Sequence, residues 1–438
     1  MKWKKLRLAG FAETGGRGMT FGRHPDTAPE APSMTFNPLA ETGIPLDQQL
    51  RTWSELNVEP YDTRSVDPYT RCRIIVMNGA EMESQWFSHQ FARHCPDLDI
   101  KRKLAEGRRI EQQQQKVCNW LIPATEDVLE VTIGYEQVAV DLTAWIARQE
   151  PDPYARQAYE FGLLEDFDHL YRYANLLDLK NPRKAAELVG ELTEIMPGRP
   201  TIDEHRHPHD DIRKPLSKDG DPRSVMHAMT ITAAEQQTMN FYNNVGNRPE
   251  DPLARALYLE IAQIEEQHVT HYESLLPPDT TWAERLVMHE YNECWLYWSF
   301  AQTETDPRIK QVWETHLAME IEQLKAAVEL AKKMDGKDPT AMLPDTLPEA
   351  MTFETNKDFV RKVLHEQVNL TGNLTEFVPV SELPAENRYA WYREQVNGTG
   401  PVPSEEIIDR HRQETGDEYR LETEGPHPVE ALRNKAAE

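Results

Sequence analysis

The sequence predicts an all-α chain, built as two tandem four-helix bundles with irregular N- and C-terminal extensions. Three observations lead there. Two long stretches, 66–180 and 223–336, carry helical patterning that prolines interrupt at matching intervals. The second stretch repeats the first without a gap, at an offset of 154 residues. One acidic position per predicted helix recurs at that offset: Glu81, Glu111, Glu136 and Asp166, then Glu235, Glu265, Glu290 and Glu320.

Taken in order, residues 1–65 are rich in Pro, Gly and Thr, show no sustained period, and read as an extended arm or irregular cap. Residues 66–180 form the first bundle. Its helices break at Cys95-Pro96-Asp97, Ile122-Pro123-Ala124 and Pro151-Asp152-Pro153. Proline stops a helix, and Asp or Thr after the stop caps the next one. Residues 181–222 are Pro-rich and read as a linker. Residues 223–336 form the second bundle, with breaks at Asn247-Arg248-Pro249, Leu276-Pro277-Pro278-Asp279 and Thr305-Asp306-Pro307. Residues 337–438 are an extension in which 358–368 is the one predicted helix. The remainder reads as a tail wrapping the body or a partner subunit.

The repeat extends beyond the acids. Phe87 aligns with Phe241, Ile110 with Ile264, Leu121 with Leu275, Pro123 with Pro277 and Leu170 with Leu324. The breaks also set heights. Glu81 and Glu111 each lie about 14 residues from the break between them, Glu111 and Glu136 about 12, and Glu136 and Asp166 about 14. At a rise of about 1.5 Å per residue, antiparallel helices bring the four acids of a copy to one level. The short links favour an up-down-up-down connection.

The formal charge of −26, from 74 acids against 48 bases, argues against nucleic acid or an anionic membrane as partner. The four cysteines, Cys72, Cys95, Cys118 and Cys294, form no CxxC pair, so no zinc-ribbon or rubredoxin-like module is expected. Scattered thiols suit a reducing compartment. The apolar run after the basic N-terminus is too short for a signal peptide, and no stretch approaches about 20 apolar residues. A cytoplasmic location is expected.

Acids at one level in a bundle core repel one another and are costly to bury unless a cation joins them. Iron or manganese takes carboxylate oxygen and imidazole, and residues at i and i+3 share a helix face. Three residues after the second and fourth acids stand Gln114 and His169 in the first copy, and His268 and Gln323 in the second. The motifs are thus Glu81, Glu111-x-x-Gln114, Glu136 and Asp166-x-x-His169, then Glu235, Glu265-x-x-His268, Glu290-x-x-Glu293 and Glu320-x-x-Gln323. The second copy adds Glu293 where the first has Ala139, which makes it the better candidate.

This pattern resembles the ferritin-like superfamily of di-iron and di-manganese carboxylate proteins, and the run from Glu265 to Leu275 is similar to a rubrerythrin helix. The resemblance covers about half the chain. It implies a non-haem di-metal centre, iron or manganese, that activates dioxygen or peroxide. Glu265, Glu320, Glu111 and Asp166 would be bridges, Glu235, Glu290, Glu81 and Glu136 terminal ligands, and His268 and His169 the nitrogen ligands. A small organic substrate, an electron-donor protein and a homo-oligomer are compatible with it. The chain departs from the family in having one His and one Gln per copy, so each copy is expected to hold an asymmetric site with two ions, one or none. Two alternatives stay open: a metal-binding or storage protein without turnover, and a degenerate scaffold acting through its tails.

Other features carry less. His271 is placed either in the same pocket as His268 or on the surface. His89, His94, His289 and His316 have no consistent partner spacing. His205, His207, His209, Asp210 and Asp211 read as a solvated loop. Trp295, Trp298 and Phe300 read as core or interface, and Tyr297 as the border of a substrate pocket or an electron carrier.

Overall fold

A computed structural model of the chain describes residues 36–433. Residues 1–35 of the expected arm therefore lie outside the described residues; its described part holds two 3-10 turns, Pro38–Ala40 and Leu46–Gln48, and one short α-helix, α1 (Trp53–Leu56). Four long helices follow: α2 (Pro68–His94), α3 (Leu98–Trp120), α4 (Val128–Gln149) and α5 (Pro153–Lys180). The connecting segment contains two single turns, α6 (Ala185–Leu188) and α7 (Thr201–Glu204). Four more long helices complete the repeat: α8 (Pro222–Val245), α9 (Pro252–Glu273), α10 (Trp282–Thr303) and α11 (Pro307–Asp335). Each begins 154 residues after its counterpart: Pro68 and Pro222, Leu98 and Pro252, Val128 and Trp282, Pro153 and Pro307.

The starts repeat because the caps repeat. Asp67, Asp97, Asp127 and Asp152, then Asp221, Asp251, Thr281 and Asp306, each accept from a backbone N–H in the first turn. Five of these helices also open on a proline, whose missing N–H costs nothing there.

Consecutive helices pair as hairpins: α2 with α3, α4 with α5, α8 with α9, and α10 with α11. The hairpins then combine across the repeat. The α2/α3 hairpin packs on α10/α11, and α4/α5 packs on α8/α9. At the centre α2 crosses α8, flanked by α4 and α10. Gly79 lies at that crossing. A Cβ there would sit 2.5 Å from Gln237 Nε2 and 3.0 Å from Ala233 O. The missing side chain lets Gln237 reach the Ile75 carbonyl (2.6 Å) and accept from Asn78 (2.9 Å).

The extension is less irregular than its sequence suggests. The predicted helix is present as α12 (Lys357–Gln367), and it is followed by an antiparallel hairpin, β1 (Leu370–Asn373) with β2 (Glu376–Pro379). Then come α13 (Arg388–Asn397) and α14 (Pro403–Thr415). The last lies across α5 and α9, buries Ile407 and Ile408, and sets its Ser404 N–H on Glu260 (2.9 Å). The sequence expectation misses α13 and α14, which flank the Gly398-Thr399-Gly400-Pro401 break that reads as part of the tail. No helix among the described residues is long and apolar enough to cross a membrane.

Candidate metal centres

The acids do not meet within a copy. Because the hairpins combine across the repeat, each cluster takes residues from both copies. Asp166, Glu235, Glu265 and His268 offer donor atoms within 4.8 Å of one another, and so do Glu136, His169 and Glu265. Glu265 belongs to both groups. The second cluster is Glu111, Glu290, Glu293 and Glu320, again within 4.8 Å. Glu81, Gln114 and Gln323 adjoin it. The expected two asymmetric sites are thus corrected to one with both histidines and one with both glutamines. The second copy is not the better site; neither copy owns one.

In the histidine site every donor is fully buried. His169 sets Nδ1 3.1 Å from Glu265 Oε1 and Nε2 3.0 Å from Glu204 Oε2. His268 does the same with other partners. Its Nδ1 lies 3.1 Å from Asp166 Oδ1, and its Nε2 lies 2.9 Å from Glu165 Oε2. Each imidazole therefore turns one nitrogen to the acids and fixes the other on a carboxylate behind it, an arrangement that orients metal-binding histidines. Glu165 is itself held by Arg199 (2.7 Å) and Arg206. Tyr242 donates to Glu136 from the other side.

Charge follows geometry. Burial would pull both histidines down, but carboxylates outweigh it and hold both well above the usual imidazole range: Glu204 and Glu265 for His169, Asp166, Glu165 and Glu235 for His268. Burial pushes Glu265 up, yet the two histidines bring it down to about 2. Glu136 and Glu235 are pushed well up, by burial first and then by Glu265 and Asp166 respectively. Both oxygens of Asp166, and one each of Glu136, Glu235 and Glu265, have no hydrogen-bond partner among the described residues. So does His268 Nδ1. Burying such atoms costs roughly 1–3 kcal/mol each when nothing meets them. Four buried carboxylates and two imidazoles on four helices form a set that could hold a metal ion.

The amide site differs in chemistry. Gln114 donates to Glu320, and Gln323 Nε2 donates to Glu320 Oε1 (3.0 Å) and Gln114 Oε1 (3.1 Å). Glu81, Glu111, Glu290 and Glu293 are all pushed well above the carboxylate range, by burial first and then by neighbouring acids. Burial brings Glu320 up to about 7. Such a set must share protons or hold a cation, and its donors are all oxygen. Tyr297 donates to Glu81 and lies 2.9 Å from His316 Nδ1, so it borders this site.

The remaining histidines resolve individually. His271 is buried away from both sites, on the Ala158 carbonyl (3.1 Å). His289 pairs with Glu83 (3.1 Å), and His94 stacks on Trp282. The 205–211 segment is solvated only in part: His209 is exposed and His207 half-buried, whereas His205, Asp210 and Asp211 are buried, and Arg206 joins Glu165 to Asp211 (2.8 Å). The residues missed from sequence are the ones behind the ligands. Glu165 directly precedes Asp166, the only cue it carried. Glu204 lies in the linker, outside the repeat, and carried none. Comparison with protein-family models, curated proteins and solved structures returned no match to this chain.

Proposed function

We propose that the chain is a non-haem di-metal carboxylate oxidoreductase, with iron or manganese held in the histidine site and dioxygen or peroxide as the oxidant. One observation carries the reading. Glu136, Asp166, Glu235, Glu265, His169 and His268 make a six-residue donor set in which both histidines are anchored from behind. Glu265, common to both donor groups, would be shared by the ions, with Asp166 beside it. Glu136 and Glu235 would each ligate one ion. Bound there, the ions would supply the electron changes that dioxygen or peroxide reduction requires. The protein supplies orientation through Glu204 and Glu165, and exclusion of water through burial.

The helix directions support the ferritin-like reading of the fold. In each group of four, two hairpins face each other with their acids at one level. Such a bundle within a single copy needs a long crossover between its second and third helices. Here the third and fourth helices come from the other copy, so short links suffice.

A second reading applies to the amide site alone. The mutual hydrogen bonds of Gln114, Glu320 and Gln323 favour a relic that holds protons in place of metal. Anomalous scattering at the iron and manganese edges, with metal quantified per chain, tests both readings. The expected result is two ions in the histidine site and loss of both in a His169→Ala, His268→Ala variant. A chain that stays free of both metals when supplied with them overturns the proposal. Metal in the amide site overturns the relic reading.

A further inference from the structure

The two sites differ in a second way that their ligands do not explain. A cavity of about 690 Å³ opens onto the amide site, with Glu111, Glu290 and Gln323 on its floor. From that floor it follows α2 forward to Ser88, α3 back to Leu104, α10 back to Leu286 and α11 forward to Leu330. All four directions agree, so the cavity runs along the helix axes. The seven residues from Glu111 to Leu104 make it about 10 Å deep.

The repeat shows what opened it. Residues 154 apart occupy matching places in the two sites. Ser88 matches Tyr242, Leu104 matches Tyr258, Gly107 matches Ile261 and Ala327 matches Tyr173. At the histidine site the three tyrosines fill the corresponding space. Their ring centroids lie 5.2 Å (Tyr173–Tyr242), 5.0 Å (Tyr173–Tyr258) and 5.6 Å (Tyr242–Tyr258) apart, and all three are fully buried. At the amide site smaller residues leave the space open, and a Cβ built on Gly107 meets no atom within 4 Å.

We infer that this cavity is a binding chamber for a neutral, largely apolar organic molecule with one hydrogen-bond donor at its inner end. Its volume suits a small organic ligand. Its walls are mostly apolar, with Leu46, Leu50, Leu104, Ile110, Leu286 and Leu330 beside Ser84 and Ser88. Above the floor its lining balances Lys103, Arg108 and Arg109 against Asp47, Glu106 and Glu329, so neither sign of ligand charge is favoured. At the floor, both oxygens of Glu111 and one of Glu290 are buried without a partner among the described residues, and they accept from such a donor. The chain thereby divides its labour: the histidine site is plugged, and the amide site admits the organic ligand. Naming that ligand a substrate rests on the function proposed above; the binding does not.

Titration of the full chain with N-phenyl-1-naphthylamine, a neutral fluorescent molecule with one N–H, tests this. Saturable binding of one molecule per chain is expected. Gly107→Ile, which restores the residue of the plugged site at a half-buried position, is expected to weaken binding at least tenfold, and so is Ser88→Tyr with Ala327→Tyr. The melting temperature of each variant reports its folding, and Gly107→Ile serves if the double variant does not fold. Absence of saturable binding, or equal binding by a folded Gly107→Ile chain, overturns the inference. Saturable binding that Gly107→Ile weakens, in a chain without iron or manganese, keeps the chamber and removes the metal reading. Metal without binding does the reverse.

Discussion

At the residue scale, the carboxylates behind the histidines are the clearest test of the metal reading. Glu204 fixes Nε2 of His169 without facing the acids itself. Glu204→Gln keeps the volume but weakens that hold, and such changes cost about 10–100-fold in metal affinity. Competition with a chelator measures this, and unchanged affinity means that His169 is not a ligand. Asp141 supplies an independent prediction away from the candidate metal centres. Burial raises its carboxyl to about 7, partly offset by the hydrogen bond that Thr193 donates to it (2.6 Å). Below the unfolded value, near 4, the acid is neutral in both states. As pH rises toward 7 the unfolded chain ionises first, so stability falls, and it stops falling above the folded value. At about 1.4 kcal/mol per unit, the loss is about 4 kcal/mol. Asp141→Asn removes that part of the slope, and urea unfolding at pH 4.5 and 7.5 shows it. Parallel slopes in the two proteins refute the assignment.

At the element scale, what was legible in the sequence was local. Caps and prolines mark helix ends through contacts two or three residues apart, so Asp97, Asp152 and Asp306 fall where the helices start. The ligand motifs were legible for the same reason, since i and i+3 share a face in any helix. The choice of facing hairpin was not, because seven residues separate α3 from α4 whichever group α4 joins. The exchange of Gln and His between copies was its trace. Gln114 and Gln323 look unrelated along the chain, yet they share one hydrogen-bond network. The crossing of α2 and α8 is the joint that makes this arrangement possible. Gly79→Leu places a side chain against Gln237 and the Ala233 carbonyl, where a close-packed interface has no room. Overpacking of this kind costs about 1–3 kcal/mol. A lowered urea midpoint with bound metal still present in the folded state is expected; an unchanged midpoint shows that the crossing yields freely.

At the scale of the whole molecule, cross-pairing makes the repeat obligatory. A copy that closed on itself would be a domain, able to fold and bind metal alone. Here each copy supplies two hairpins that face different partners. Glu136, Asp166 and His169 have no complement in their own half, and Glu235, Glu265 and His268 have none in theirs. Separated halves would expose the inner faces of four hairpins, together with buried acids that only the other half satisfies. The turn at Lys218 and Asp219, with Asp219 exposed, offers a place to divide the chain without cutting a long helix. Fragments 1–218 and 219–438, expressed singly, are expected to be unstable and free of bound metal. Co-expressed, they are expected to form a one-to-one complex with the metal content of the intact chain, because every contact between hairpins survives the cut. Size-exclusion chromatography with metal analysis decides the matter. A single fragment that folds and binds metal on its own shows that a copy can close on itself, and then the pairing of the two histidines in one site falls with it.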